Sequence, residues 1–244
     1  MTRLFTYVVV SDHGFAPNPF HGICTLATCK PRIRLSAQTG DWVFGSSSRA
    51  GGGPGHAVFA MRVDKTMCFE EYWRDPRFED KRPNWQGISL KGRCGDNIYH
   101  RDPATGEWQQ EPSFHGPEDT GRDTSVDRVL VGEDFIYWGG DGPPLPLFAG
   151  VDVRTKGIGH RCRFPKEIVQ GFVRWVRSLG ESGVVGRPGG WPERVQPARA
   201  IVKGEKCQRS HRPCSGQRRV NLSRTGKQGS LERFSTTRGN CQVQ

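Results

Sequence analysis

Residues 4–10, with the sequence LFTYVVV, form a continuous run of β-branched and aromatic side chains. Such a run is typical of a strand that is buried on both faces. The aromatic run DWVFG at 41–45 predicts the next strand, and residues 56–63 alternate as a half-buried strand does. Residues 129–131 and 135–138 predict two further strands on either side of a turn. The first half of the chain and its middle are therefore dominated by strands.

Helical patterns are fewer. Residues 165–179 carry an apolar stripe that includes Ile168, Phe172 and Val176, which predicts an amphipathic helix. Pro31 predicts the first residue of a short helix, because a proline without an N–H group costs nothing at that position. With many strands and a few flanking helices, the sequence predicts an α+β fold, built as a compact mixed or antiparallel sheet or as a small barrel.

Positive charge is concentrated at the end of the chain, which has 244 residues and a formal net charge of +11. Residues 183–244 hold 13 Lys and Arg against 3 Asp and Glu, whereas residues 1–182 hold 23 against 22. The terminal segment is also poor in core-forming side chains, with 10 Leu, Ile, Val and Phe in total. We therefore predict one domain at 1–182 and a basic, largely disordered tail at 183–244.

Several classes of protein are disfavoured by the composition. No apolar run approaches the roughly 18 residues that a membrane span requires. The apolar run at 4–10 is too short for the core of a signal peptide and has no cleavage site after it. Without an export signal, the eight cysteines are expected to be reduced thiols. The sequence therefore predicts a cytoplasmic protein that does not contact membranes.

Reactive side chains are densest between residues 11 and 34. Asp12 and His13 follow the first strand, where a carboxylate can orient an imidazole as a general base; the alternative is that Asp12 caps the turn and His13 is merely exposed. A cysteine nucleophile is also possible here, and the sequence does not rank Cys24 above Cys29. We take Asp12, His13 and Cys24 as the catalytic candidates. The spacing of the two cysteines does not require a metal, and no metal site is predicted.

Other side chains are suited to holding a nucleotide. Lys30 and Arg32 lie at the start of the short helix, where positive charge would attract a phosphate. Planar and amide side chains in the predicted loops and strand ends could stack on a base or bind its edges, with core packing and turn capping as the alternatives. These candidates are Asn18, Trp42, Trp85, Asp96, Asn97, Tyr99, His100 and Trp138.

Six stretches follow one another in the order of a known family: DHGFAPNPFHGICTLATCKPRIR (12–34), GDWVFG (40–45), EYWRDPRFEDKRPNW (71–85), GDNIYH (95–100), DTSVDRVLV (123–131) and GHRCRFPKEIVQGFVRW (159–175). They resemble the nucleotide modification associated domain, type 2, a family from bacteria and phages that is associated with DNA base hypermodification. The resemblance implies a role in the synthesis, handling or recognition of modified nucleotides. The passage through Gly40-Asp41 into an aromatic strand is also similar to pseudouridine-synthase and archaeosine-transglycosylase (PUA-like) barrels, which implies a base-binding pocket.

Three hypotheses follow from these patterns and from the resemblance. In the first, the protein binds a modified nucleobase or nucleotide, in DNA or free, in an aromatic and polar pocket. In the second, it is an enzyme that transfers or removes a group on a nucleobase, with His13, Asp12 or Cys24 as acid, base or nucleophile. In the third, it is an interaction protein that docks through its basic tail. The sequence identifies no cofactor and no oligomeric state.

Overall fold

The computed structural model of the chain describes residues 1–48 and 55–192 and confirms the α+β fold. The strands, in chain order, are β1 (Leu4–Val9), β2 (Cys24–Leu26), β3 (Trp42–Ser47), β4 (Ala57–Arg62), β5 (Lys65–Met67), β6 (Tyr99–Arg101), β7 (Trp108–Gln110), β8 (Val129–Gly132), β9 (Phe135–Gly139), β10 (His160–Arg161) and β11 (Gly183–Arg187). The helices are α1 (Pro31–Ser36), α2 (Phe69–Arg74), α3 (Leu90–Arg93), α4 (Pro117–Thr124) and α5 (Lys166–Ser178), with a 3₁₀ helix at Pro76–Lys81.

The central element is a six-stranded sheet in the order β10-β1-β3-β4-β9-β11. The pairs β1–β3 and β9–β11 are parallel, and the other neighbours are antiparallel. The chain also forms a three-stranded sheet, in the order β2-β8-β5, and a two-stranded hairpin, β6-β7. Because the large sheet is open at β10 and β11, the described residues form a mixed sheet rather than the small barrel that the sequence also allowed.

Both faces of the large sheet are covered, which explains the continuous apolar run in β1. Leu4 packs in the cluster that includes α5, whereas its neighbour Phe5 packs in the cluster that includes Ile33 of α1. Successive residues of a strand point to opposite faces, so β1 needs apolar side chains on both faces to serve both clusters. The predicted amphipathic helix is present as α5, and its Phe172 is fully buried against the sheet.

Strand β4 differs from its prediction. The alternation at 56–63 predicted one solvated face, but β4 is buried from Ala57 to Met61. It lies between β3 and β9 in the interior of the sheet, and both faces are covered there. The small residues Ala57 and Ala60 fill the face that packs on α5.

The ordered fold continues past residue 182, where the sequence placed the end of the domain. β11 begins at Gly183 and extends the sheet as a parallel neighbour of β9. The following Gly189 and Gly190 donate backbone hydrogen bonds to Asp12, at 2.9 Å to its carboxylate and 2.7 Å to its carbonyl. The remainder of the predicted disordered tail, from residue 193, lies outside the described residues.

No helix in the described ranges is long and apolar enough to cross a membrane.

Candidate active site

Cys29 occupies a sharp bend between β2 and α1. The chain leaves β2 at Leu26, and both Cys29 and Lys30 have left-handed backbones, with φ of 58° and 43°. Pro31 then opens α1 as predicted, since its fixed φ suits the first helical turn. Consecutive left-handed residues that are not glycine are uncommon, and such strain is found preferentially at functional sites. The bend holds Cys29 in a half-buried position at the protein surface.

The Cys29 sulfur is the first member of a chain of three polar side chains. Its Sγ lies 3.2 Å from Nε2 of His115, and Nδ1 of the same ring lies 2.7 Å from Oδ2 of Asp123. His115 precedes α4 and Asp123 lies in the last turn of that helix, so α4 sets their separation. A thiol, an imidazole and a carboxylate in this order are the groups of a cysteine-based catalytic triad.

The carboxylate of Asp123 is fully buried and held from several sides. Its Oδ1 accepts the backbone N–H of Cys29 at 3.0 Å, and its Oδ2 accepts the hydroxyl of Tyr99 at 3.1 Å. Arg122 contributes a nearby positive charge, with 3.6 Å between its Nε and Oδ1 of Asp123. Asp123 therefore ties the backbone of Cys29 to the ring of His115.

These contacts control the protonation of the pair. Burial alone would lower the pKa of His115, but the hydrogen bond that the ring donates to Asp123 and the adjacent Cys29 sulfur raise it from 6.5 to about 10. Burial alone would raise the pKa of Asp123, but His115, Arg34 and Arg122 lower it overall. At neutral pH the imidazole therefore carries a proton beside the sulfur, and the carboxylate is ionised.

The buried Arg34 fixes the two halves of the site together. Its guanidinium donates to the carbonyl of Cys29 at 3.0 Å and also to the carbonyl of Asp123. It further donates to the carbonyls of Val126 and Arg128, both at 2.7 Å. A guanidinium has five donors in a fixed plane, so a single side chain on α1 can hold the segment after α4 in register.

Comparison with known protein families assigns the chain to one of them. The family model described as nucleotide modification associated domain 2 matches residues 1–195. The chain belongs to the nucleotide modification associated domain 2 family. No curated protein and no solved structure matches the chain. The resemblance seen in the six sequence stretches is thus confirmed, and the protein has a role associated with nucleotide modification.

Among the residues predicted from the sequence, Asp12 and His13 line one cavity of about 380 Å³ together with His56. The carboxylate of Asp12 accepts the Tyr137 hydroxyl and the Gly189 N–H. The ring of His13 stacks on Phe114, with 5.1 Å between centroids. The same Phe114 meets the predicted Trp85 edge to face at 5.3 Å. The family domain thus brings Asp12, His13 and Trp85 to one neighbourhood.

Three other predicted residues share a buried polar network in the family domain. Asp96 accepts hydrogen bonds from the hydroxyls of Thr25 and Tyr72, and burial raises its pKa. Asn18 accepts from Nζ of the buried Lys81 at 2.7 Å. Cys24, at the start of β2, is fully buried, and burial raises the pKa of its thiol. These side chains lie within the protein, so Cys24 is less accessible to a substrate than Cys29.

The other planar and amide candidates make contacts inside the protein. Trp42 and Trp138 belong to the core beside α5, and Asn97 donates to the carbonyls of Tyr72 and Phe78. His100 stacks on Trp73 at 4.1 Å between centroids and lies 3.0 Å from Glu111. Tyr99 supports the triad through Asp123, as described above.

Lys30 and Arg32 remain at the surface and line a cavity of about 310 Å³ together with Cys29. The sequence did not rank Cys24 above Cys29. In the structure it is Cys29 that lies beside these cations and contacts the imidazole of His115. His115 and Asp123 were not identified from the sequence. The resemblance to the family could have drawn attention to Cys29 and Asp123, because each lies within one of the six stretches that carry it. His115 lies in none of these stretches.

No three His, Cys, Asp or Glu side chains within residues 1–48 and 55–192 are grouped so as to hold a metal ion.

Proposed function

We propose that the domain is an enzyme that removes or transfers an acyl-type group on a nucleobase, with Cys29 as the nucleophile. The observation that carries this proposal is the continuous contact from Sγ of Cys29 through the ring of His115 to Asp123. Membership of the nucleotide modification family supports a nucleobase as the group that is changed. Cys-His arrangements with an orienting third residue recur in acyl transfer on unrelated folds.

The first half of the reaction forms a thioester. In the reactive form the thiol proton of Cys29 has passed to Nε2 of His115, whose pKa of about 10 keeps that proton on the ring. The sulfur electron pair forms a bond with the carbonyl carbon of an acylated amino group on the base. When the carbonyl re-forms, the carbon–nitrogen bond breaks and the leaving amine takes the proton from His115.

The second half restores the thiol. A water molecule attacks the thioester carbonyl while His115 takes one of its protons, and the carbon–sulfur bond breaks as that proton returns to sulfur. The net reaction consumes one water and yields a free amino group and a carboxylic acid. An amine in place of water would accept the acyl group and give transfer. Asp123 holds the imidazole in the orientation that presents Nε2 to sulfur throughout.

Mass spectrometry of nucleosides from cellular DNA tests the proposal. DNA would be compared from cells that express the intact protein, Cys29→Ser or Cys68→Ser, with an empty vector as reference. Cys68 is the matched control because it is also half-buried but contacts the N–H of Glu71 rather than an imidazole. We expect a change in the nucleoside profile that is lost with Cys29→Ser and retained with Cys68→Ser. An identical profile for Cys29→Ser and the intact protein would refute the enzymatic proposal.

A second candidate function is the binding of a modified base without catalysis. The cavity lined by Asp12, His13 and His56 supports it, because its volume of about 380 Å³ lies in the range of small-molecule sites. Asp12 is also held in place at the cavity wall by Tyr137 and Gly189. A charge fixed in this way could bind the edge of a base.

Equilibrium dialysis of nucleosides tests this second candidate. Asp12→Asn keeps the shape of the side chain and removes its charge, so binding of a nucleoside in this cavity should weaken about tenfold. Glu181→Gln is a suitable control, since Glu181 binds Trp138, whose side chain packs on the opposite face of the sheet from that of Tyr137. Equal binding by the two variants would exclude this cavity as the base site.

A further inference from the structure

The surroundings of Cys29 are electropositive. The cavity of about 310 Å³ that Cys29 lines is bounded by the cationic side chains of Lys30, Arg32 and Arg122, and by His160. None of its lining residues is acidic. Within the described residues, neither Lys30 nor Arg32 forms an ion pair with a carboxylate, whereas Arg122 is 2.8 Å from Asp119. Two cations beside the thiol are thus unneutralised.

The cations are close enough to influence one another. Burial lowers the pKa of His160, and the charges of Arg32 and Lys30 lower it further. Burial also lowers the pKa of Lys30, the adjacent Cys29 sulfur raises it, and Arg122 lowers it. Lys30 directs its Nζ over the ring of Tyr7, 4.6 Å from the centroid, which holds the ammonium in place. Crowded like charges with few counter-ions are stabilised when an anion binds between them.

A second cavity continues from the first. It has a volume of about 480 Å³ and shares Lys30, Ile158 and Gly159 with the cavity beside Cys29. Its other lining residues include Ser46, Ser47 and Lys156, and again none is acidic. Ile158 is fully exposed and lines both cavities. The two cavities together form a groove with Lys30 and Arg32 at one end and Ile158 in the middle.

We propose that the substrate of Cys29 carries a phosphate ester, which Lys30 and Arg32 bind in the cavity beside the thiol. This inference rests on the proposed function, because it names the class of molecule on which the thiol acts. The sugar and the rest of the molecule extend across Ile158 into the second cavity. Phosphate oxygens accept hydrogen bonds from ammonium and guanidinium groups. Such contacts do not involve the base, so this site would select for a phosphate and would not select among bases. The phosphate can belong to a free nucleotide or to a DNA strand.

Binding measurements with the full-length Cys29→Ser protein test the inference separately from catalysis. The probes are inorganic phosphate, a set of deoxynucleosides, their 5′-monophosphates and a single-stranded oligonucleotide. We expect the monophosphates to bind at least about tenfold more tightly than the nucleosides, and inorganic phosphate to compete with them. Arg32→Gln and Lys30→Gln, made in the same background, should each weaken nucleotide binding about tenfold. Arg174→Gln is the control, since Arg174 is exposed on α5 at the opposite face of the sheet and should leave binding unchanged.

The two sources of phosphate give different results. A free nucleotide substrate predicts that monophosphates bind as tightly as the oligonucleotide. A DNA substrate predicts tighter binding of the oligonucleotide, with an affinity that falls steeply as salt is raised. Nucleosides that bind as tightly as nucleotides, or Arg32→Gln binding that matches Arg174→Gln, would overturn the inference. If Cys29 is nevertheless required for the change in cellular DNA, the proposed function stands without the phosphate site. If nucleotides bind as expected but Cys29→Ser leaves the DNA profile unchanged, the proposed function fails and the phosphate site stands.

Discussion

Replacing Asp123 with asparagine is expected to destabilise the protein while preserving the shape of the site. The carboxylate accepts hydrogen bonds from three groups, namely the Cys29 N–H, the Tyr99 hydroxyl and the His115 ring. An asparagine can keep its oxygen toward Cys29 and donate its amide to Tyr99. It cannot also accept from Nδ1 of His115, so the charged hydrogen bond of 2.7 Å is lost.

The size of the effect follows from the burial of the pair. A hydrogen bond to a charged group contributes about 1.5–3 kcal/mol, and removing one partner of a buried ion pair costs about 3–5 kcal/mol. His115 can relieve the larger penalty by releasing its proton, so we expect a loss of about 2–4 kcal/mol near pH 6. With a urea m-value of about 2 kcal/mol per molar, the unfolding midpoint should fall by about 1–2 M.

The loss should depend on pH in a defined direction. The pKa of His115 is raised from 6.5 to about 10, so its contribution to stability is complete below pH 6.5 and disappears as the pH rises through about 10. The pKa of Asp123 is lowered, so its contribution is present above its ordinary value of 3.8 and is lost in acid. The difference in stability between the two proteins should therefore be largest between about pH 4 and 6.5 and decline toward pH 10.

Urea unfolding at several pH values, followed by circular dichroism, measures this difference. Asp119→Asn is the control, because Asp119 lies 3.9 Å from the same ring nitrogen but is partly exposed and binds Arg122. That variant should lose less than about 1 kcal/mol. Equal losses of stability for the two variants would refute the conclusion that Asp123 and His115 form a stabilising buried ion pair. A loss for Asp123→Asn that stays constant from pH 5 to pH 10 would refute it as well.

Three further predictions concern the framework of the site. Lys81→Met should cost about 3–5 kcal/mol in urea unfolding at pH 7, because the buried ammonium binds Asn18 and its charge acts on the buried carboxylate of Asp96; a loss under 1 kcal/mol would contradict that role. Arg34→Lys should lose about 2 kcal/mol and slow alkylation of Cys29, since an ammonium cannot reach the four carbonyls that the guanidinium binds; unchanged alkylation would show that Arg34 does not position the thiol. Phe172→Ala should cost about 3–5 kcal/mol but leave the alkylation rate of Cys29 unchanged, because it opens a cavity on the far face of the sheet.

The local elements of the fold were predictable because their patterns are contained in short windows. The run LFTYVVV marks β1, and the spacing of Ile168, Phe172 and Val176 marks α5. Burial of β4 on both faces was not predictable, because it depends on the pairing of β4 with β3 and β9, which no single window contains. The start of β11 at Gly183 was missed for the same reason, since its partner β9 lies more than forty residues earlier.

The candidate site was only partly predictable, because a buried polar network and a binding site have the same composition. Asp96 and Asn18 suggested a pocket, yet they bind Thr25 and Lys81 in the interior. A carboxylate can be buried where hydroxyl and ammonium groups satisfy it, and the sequence does not show which partners meet. A buried network and a binding site therefore could not be distinguished from the residue types alone.

The triad shows the same limit more directly. Cys29 and His115 are separated by 86 residues in the chain. His115 lies between Phe114 and Gly116 without a periodic pattern, so nothing in its neighbourhood marks it as a base. Only the folding of α4 against the bend before α1 brings the ring to the sulfur.

The relative alkylation rate of Cys29 and Cys68 within one molecule is the measurement that bears most directly on Cys29 as an activated nucleophile. The folded protein would be treated with iodoacetamide at pH 6 for increasing times, and the two cysteine peptides quantified by mass spectrometry. Cys29 should react at least about tenfold faster than Cys68, because a thiolate and not a thiol is alkylated and His115 accepts the proton. The advantage should disappear in His115→Gln. Equal rates at the two cysteines, or a rate at Cys29 that His115→Gln does not change, would contradict the account.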